Sequence, residues 1–75
     1  MKAKKMRRCL RKLGYRADPN RGKGGSHTWL VCEGRPDVLF AFHDKVEIGS
    51  VMVRKILVQQ VGLTLEEAKE AARNA

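Results

Sequence analysis

The sequence predicts an α+β fold in which helices cover one face of a small antiparallel sheet. Two kinds of pattern predict it. Apolar residues recur every three or four positions in three segments, and β-branched and aromatic residues dominate two short segments between them. The helical segments are residues 1–14, 51–61 and 63–75, and the strand segments are residues 26–33 and 38–44.

The length limits the number of domains. A chain of 75 residues buries one small core, so residues 1–75 are predicted to form a single domain. The longest apolar run is short, and the basic beginning of the sequence lacks a following apolar h-region. These features argue against a membrane span and a secretory signal. We therefore expect a soluble, cytoplasmic protein.

The first predicted helix carries one apolar stripe in an otherwise basic segment. The residues of the stripe are Ala3, Met6, Cys9, Leu10 and Leu13. Gly14 follows them and is expected to end the helix in a left-handed conformation. Residues 15–17 are expected to begin a short strand, and residues 18–25, DPNRGKGG, have the composition of a loop.

A β-hairpin is predicted from residues 26–33 and 38–44, with a reverse turn at GRPD, residues 34–37. Together with the short strand it gives a small antiparallel sheet. Trp29 is expected in the core, because only four aromatic residues are available to fill it. The alternative is that its ring stacks on a nucleobase. Helices on one face leave the other face or the edge of the sheet open to a ligand.

The C-terminal third is predicted to form two nearly contiguous helices. Ser50 is the expected N-cap of a helix over residues 51–61, which Gly62 ends. Thr64 and Glu67 have the spacing of a capping box, so the second helix is predicted to start there and to include the remaining residues.

The positive charge is concentrated at one end of the sequence. The net charge is +8, and 10 of the 16 Lys and Arg lie within residues 1–25, where Asp18 is the only acidic residue. A localised cationic surface is typical of a protein that binds the phosphate backbone of a nucleic acid. A solvated surface and an acidic protein partner are the alternatives.

Neither a metal nor a cofactor is expected. Cys9 and Cys32 are a single pair without a CxxC motif, which indicates two buried, reduced thiols. The acidic residues are scattered through turns and do not form a set of hard-cation ligands. A zinc site of His27, Cys32 and His43 is an alternative, although this spacing fits no established ligand pattern.

Several motifs carry a resemblance to a known family. LRKLGY, GGSHTWLV, a hairpin ending at His43, and EIGSVMVRKILVQQVGLTLEEA together span most of the chain. In these motifs the sequence resembles the HicA (YcfA-like) toxin family. The resemblance implies a double-stranded-RNA-binding-domain-like α-β-β-β-α sandwich, here with an additional short C-terminal helix. It also implies ribonuclease activity on mRNA, a catalytic histidine at His27, and a HicB antitoxin that caps the site.

The chemistry of His27 agrees with that implication. A base that removes the proton from an RNA 2′-hydroxyl lets this oxygen attack the adjacent phosphorus. An imidazole suits this step because it titrates near neutral pH. His43 is a second candidate acid-base group, for which we prefer a structural role. The plain alternative for His27 is a polar residue at the start of a strand with no catalytic role.

Charge that develops on the phosphorus oxygens needs cations or backbone N–H donors held in place beforehand. Next to His27, the candidates are Arg21, Lys23, the amides of Gly24 and Gly25, and the hydroxyl of Ser26. On the first helix, the predicted RNA phosphate contacts are Lys5, Arg8 and Lys12.

Two functions follow from these observations. The favoured one is a HicA-like toxin, a metal-independent endoribonuclease that cleaves mRNA with His27 and is inhibited by a HicB-like antitoxin. The alternative is a non-catalytic basic module that binds structured RNA by shape, as double-stranded-RNA-binding domains do. The substitution His27→Ala discriminates between them. The nuclease would lose cleavage, whereas the binding module would lose only some affinity.

Overall fold

The computed structural model describes residues 1–21 and 27–75, and these residues have the predicted α+β architecture. In chain order the elements are α1 (Ala3–Lys12), β1 (Arg16–Ala17), β2 (Thr28–Cys32), β3 (Arg35–Phe40), α2 (Ser50–Arg54), a π-helical segment (Lys55–Gln60) that directly continues α2, and α3 (Leu65–Arg73). The strands form one antiparallel sheet in the order β1-β2-β3. The arrangement is compatible with the expected α-β-β-β-α sandwich, with α3 as its additional C-terminal helix. Among the described residues, no helix has the length and apolar character needed to cross a membrane.

Four of the five residues of the predicted apolar stripe are buried, and Leu13, which follows α1, is half-buried. Ala3, Met6 and Leu10 have no exposed surface, and Cys9 is almost fully buried. Gly14 follows with φ +109°, the left-handed conformation expected at the end of a helix. The helix therefore faces the core with one side and presents its Lys and Arg residues on the others.

The sheet has one face in the core and one face turned away from it. β2 is the central strand and pairs with β3 through Thr28↔Phe40 and Leu30↔Val38. Leu30, Val38 and Phe40 are buried. Because successive residues of a strand point to opposite faces, Trp29 lies on the other face, together with its partner Leu39, which is 40% exposed.

The predicted reverse turn at residues 34–37 is wrong. Only Glu33 and Gly34 separate the two strands, and Arg35, Pro36 and Asp37 already belong to β3. Gly34 has φ +80°, which explains the glycine at this position. Pro36 is compatible with β3 because this strand lies at the edge of the sheet, where a missing N–H is tolerated.

A single hydrophobic cluster lies between the helices and the sheet. Each element except β1 and α2 contributes buried residues to it, and so do the segments next to the helices. The buried residues are Ala3, Met6, Cys9, Leu10, Tyr15, Leu30, Val38, Phe40, Ile48, Ile56, Leu57, Val61, Leu63 and Ala68. Cys9 and Cys32 are free thiols as expected, but only Cys9 is buried and Cys32 is half-buried.

The predicted helix after the sheet is confirmed, but Ser50 is not its cap. The helix begins at Ser50, and Gly49 is the N-cap residue, with no side-chain hydrogen bond to the helix. Glycine is tolerated at the N-cap, although serine is preferred there. The second half of the helix is π-helical, and the N–H of Val61 donates to the carbonyl of Ile56 at 2.9 Å.

The predicted capping box at the start of α3 is confirmed. The N–H of Glu67 donates to Thr64 Oγ1 at 3.1 Å, and the N–H of Thr64 donates to Glu67 Oε1 at 2.9 Å. The hydrogen bond from the Thr64 N–H lowers the pKa of Glu67. The two orphan N–H groups at the start of α3 are thus satisfied locally.

We expect Gly14→Ala to lower the free energy of unfolding by about 1–2 kcal/mol, because an L-residue is strained at positive φ. The added Cβ would also lie 3.0 Å from Cys32 Sγ. Gly34→Ala is the matched control, since Gly34 has φ +80° and nothing within 4 Å of the added atom. Urea unfolding should show the larger loss for Gly14→Ala, and an equal loss in the two variants would exclude the contact with Cys32.

Acid should destabilise the protein partly through Glu67. A lowered pKa in the folded state stabilises the fold fully above the ordinary glutamate value, about 4.3. That contribution is lost as the pH falls through the lowered pKa. The thermal midpoint of Glu67→Gln should therefore fall less than that of the wild type between about pH 5 and pH 3. Glu66→Gln is the control because Glu66 is outside the capping box, and parallel curves for Glu67→Gln and wild type would contradict the prediction.

Candidate nucleic-acid interface

His27 is exposed and lies one residue before β2. The next residue, Thr28, is half-buried and pairs with Phe40 of β3. The pairing therefore holds the chain directly after His27 while leaving its imidazole accessible. The other predicted contacts of this motif, Lys23, Gly24, Gly25 and Ser26, lie outside the described residues.

A groove between α1 and the β1 edge of the sheet is lined in part by Thr28, the residue that follows His27. Arg7 and Arg11 form its α1 side, Arg16 lies on its β1 side, and Thr28 belongs to its β2 side. The full lining is Arg7, Arg11, Tyr15, Arg16, Ala17, Thr28 and Leu30. We call this the basic groove. Three guanidinium groups around one groove attract phosphate and bind it in a fork-like geometry that lysine lacks.

A second cleft continues from the basic groove along the exposed side of α1. It is lined by Lys4, Arg7, Arg8, Arg11 and Asp44, so Arg7 and Arg11 belong to both. Arg7 is paired with the carboxylate of Asp44. Lys4, Arg8 and Arg11 have no carboxylate within 4 Å in the described parts of the chain. Uncompensated cations along one surface give it the strong positive potential that steers a polyanion.

Of the three phosphate contacts predicted on α1, only Arg8 lines this surface. Lys12 lies on the side of α1 that packs against α3, and its Nζ donates to the carbonyl of Asn74. The same side carries Cys9, whose Sγ donates to the carbonyl of Ala71 at 3.4 Å. Lys5 is half-buried and lines neither the basic groove nor the second cleft.

Sequence reasoning did not single out Arg7, Arg11 and Arg16. The spacing of Arg7 and Arg11 places them on one face of α1, which is a signal that the sequence does contain. It does not say that this face borders β1, because that depends on how α1 is rotated against the sheet.

Arg21 lies on the sheet face opposite the core, between two carboxylates. Its Nε donates to Asp18 Oδ2 at 2.8 Å, and its Nη2 donates to the carboxylate of Asp37. The guanidinium carbon lies 4.4 Å from the centroid of the Trp29 ring. The hydrogen bonds from the N–H of Asn20 and from Arg21 lower the pKa of Asp18. The expectation that Trp29 belongs to the core is wrong, because the alternation of β2 gives the core position to Leu30.

His43 is exposed and follows the end of β3. Its carbonyl accepts a hydrogen bond from the N–H of Val46 at 3.0 Å. The turn at His43 is thus held by backbone contacts. His43 lies outside β3, whose residues 35–40 are the ones that pair with β2.

The alternative zinc site does not form. His27 and Cys32 lie at opposite ends of β2, and five residues of extended strand separate them by about 16 Å. Residues 1–21 and 27–75 contain no group of three His, Cys, Asp or Glu that could hold a metal ion. Burial raises the pKa of the Cys9 thiol, which disfavours the nucleophilic thiolate form.

One protein family matches the chain. The model of the family described as "HicA toxin of bacterial toxin-antitoxin" matches residues 3–63. The match covers α1, the sheet, α2 and the π-helical segment, and it ends before α3. No curated protein and no solved structure matches.

Substituting one arginine of the basic groove should weaken RNA binding. We expect Arg11→Gln to reduce the affinity for an uncleavable 2′-O-methyl single-stranded RNA by about tenfold at low salt, as for one lost charge-assisted contact. The slope of log K against log salt should become shallower by about 0.7.

Arg73→Gln is the matched control for this substitution. It removes the same charge on α3, where Arg73 is exposed and lies 3.7 Å from Glu70. Equal losses of affinity in the two variants would show that net charge matters and the groove does not. Fluorescence anisotropy at several salt concentrations measures both quantities.

Proposed function

The chain belongs to the HicA toxin family of bacterial toxin-antitoxin systems, and on that premise we propose that it is an endoribonuclease that cleaves mRNA. Membership implies an antitoxin partner. The single observation that supports the nuclease proposal is the position of His27, which is exposed and directly precedes Thr28, a residue that lines a groove with three arginines. A general base must be accessible to the substrate, and a phosphodiester substrate must be held by cations.

In the proposed reaction, His27 is the general base. Its imidazole removes the proton from a 2′-hydroxyl, and the 2′-oxygen attacks the adjacent phosphorus. A bond forms between O2′ and phosphorus while the bond from phosphorus to O5′ breaks. The departing 5′-oxygen takes up a proton, and the other product ends in a 2′,3′-cyclic phosphate. The reaction requires a 2′-hydroxyl, so DNA is not a substrate.

The arginines of the basic groove have two tasks in this proposal. Arg7, Arg11 and Arg16 hold the phosphates that flank the scissile bond, and preorganised cations stabilise the charge that develops on the phosphorus oxygens. Lys23, Gly24, Gly25 and Ser26 remain proposed contacts of the scissile phosphate because they directly precede His27 in the sequence. Imidazole and guanidinium groups together supply the proton transfer and the positive charge, so we propose a mechanism independent of metal ions.

We propose a HicB-like antitoxin as the protein partner. The protein carries a net charge of +8, so an inhibitor with an acidic surface would bind the same groove as RNA and compete with it. A substrate of mRNA places the activity in the cytoplasm.

The proposal is tested by incubating wild type, His27→Ala and His43→Ala with a single-stranded mRNA in excess EDTA. We expect wild type and His43→Ala to cut the RNA and leave cyclic phosphate ends. His27→Ala should bind the RNA but cut it at least about 100-fold more slowly, as for the loss of a general base. Fragments and end groups are resolved on a denaturing gel, and binding is followed by a gel shift.

Two results would contradict the proposal in different ways. Binding without cleavage by all three proteins would support the non-catalytic RNA-binding module. Cleavage by wild type that stops in EDTA would retain the nuclease and reject its independence from metal ions.

A further inference from the structure

The side chain of Arg21 joins segments of all three strands on the sheet face opposite the core. Asp18 directly follows β1, Trp29 lies in β2, and Asp37 lies in β3. Arg21 donates to both carboxylates and stacks on the indole ring 4.4 Å away. We call these four residues the Arg21 cluster. A planar guanidinium can donate through its edge and stack through its face at the same time, which an ammonium cannot do.

The charges of the Arg21 cluster differ from those of the basic groove. One guanidinium lies between two carboxylates, so a phosphate approaching Arg21 would meet Asp18 and Asp37. In the basic groove, Arg11 and Arg16 have no carboxylate within 4 Å in the described segments. RNA is therefore drawn to the groove, and the hydrogen-bonding capacity of Arg21 is directed to its own chain.

The Arg21 cluster also holds the chain on both sides of His27. Trp29 follows His27 by two residues, a separation of about 7 Å along a strand, and Arg21 precedes it by six. The carbonyl of Trp29 accepts a hydrogen bond from the N–H of Asp18 at 2.8 Å, which ties the end of β1 to the same place. Arg21 and Trp29 are thus in contact although His27 lies between them in the sequence.

We propose that Asp37 is a positioning residue for His27. By holding Arg21 on the Trp29 ring, Asp37 joins residues 21 and 29, which lie on either side of the histidine in the sequence, and so fixes the place of the imidazole relative to the basic groove. The inference rests on the proposed function for the catalytic role of His27. It assigns Arg21 to the support of His27 and not to contact with the substrate.

The chain contains natural spectroscopic probes with which this proposal can be tested. Trp29 is the only tryptophan, and His27 and His43 are the only histidines. In Asp37→Asn we expect the emission of Trp29 and the imidazole NMR signals of His27 to change, while the signals of His43 stay in place. Glu70→Gln is the control, because Glu70 is also an exposed carboxylate paired with an arginine and lies on α3, outside the basic groove. It should leave the signals of His27, His43 and Trp29 unchanged.

The kinetics of RNA cleavage separate positioning from substrate contact. We expect Asp37→Asn and Arg21→Lys to lower kcat about tenfold, a loss typical of a misplaced catalytic group. KM should stay within about twofold of wild type. A raised KM at unchanged kcat would overturn the proposal, because it would mean that Arg21 contacts RNA.

Two spectroscopic results would also overturn it. Unchanged Trp29 emission in Asp37→Asn would mean that Asp37 does not hold the cluster, and unchanged His27 signals would mean that the cluster does not act on the histidine. If wild type does not cleave RNA, the proposed function fails, and the NMR comparison still decides whether Asp37 positions His27.

Discussion

The burial of Met6 and Leu10 in the hydrophobic cluster fixes the rotation of α1, and the charged surfaces of the protein depend on it. Neither side chain has exposed surface, and burial of each stabilises the fold by about 1.5–3 kcal/mol. Because a helix has 3.6 residues per turn, burial of one stripe fixes the directions in which the other side chains of the helix point. Arg7 and Arg11 then border β1, and Lys12 borders α3.

The start of α1 is held by backbone hydrogen bonds to residues 44 and 46 and not by a side-chain cap. No side chain caps α1, and its first turn has no acidic residue. Instead, the N–H groups of Ala3 and Lys4 donate to the carbonyls of Val46 and Asp44. These bonds satisfy donors that would otherwise lack partners. The same short segment supplies the carboxylate that pairs with Arg7. The residues that hold the start of α1 therefore also neutralise one arginine of the basic groove.

The two faces of the sheet carry different proposed roles, which are RNA binding on the helix-covered side and support of His27 on the other. The helix-covered side borders the basic groove, where Arg11 and Arg16 have no carboxylate within 4 Å in the described residues and suit a polyanion. The opposite face carries Arg21 between two carboxylates and on an aromatic ring, a neutralised arrangement that suits support. His27 directly precedes Thr28, which lines the basic groove, and it precedes Trp29 of the Arg21 cluster by two residues.

The sequence by itself determined the fold class, the apolar stripe of α1, the glycine after it and the capping box of Thr64 and Glu67, because these depend on local spacing and local hydrogen bonds. The motif around His27 was likewise recognised from the sequence alone. Tertiary structure decided that Pro36 lies within an edge strand, that Trp29 faces away from the core, and which arginines surround the groove. Each of these depends on strand order, register or helix rotation, which are set by contacts between residues far apart in the chain.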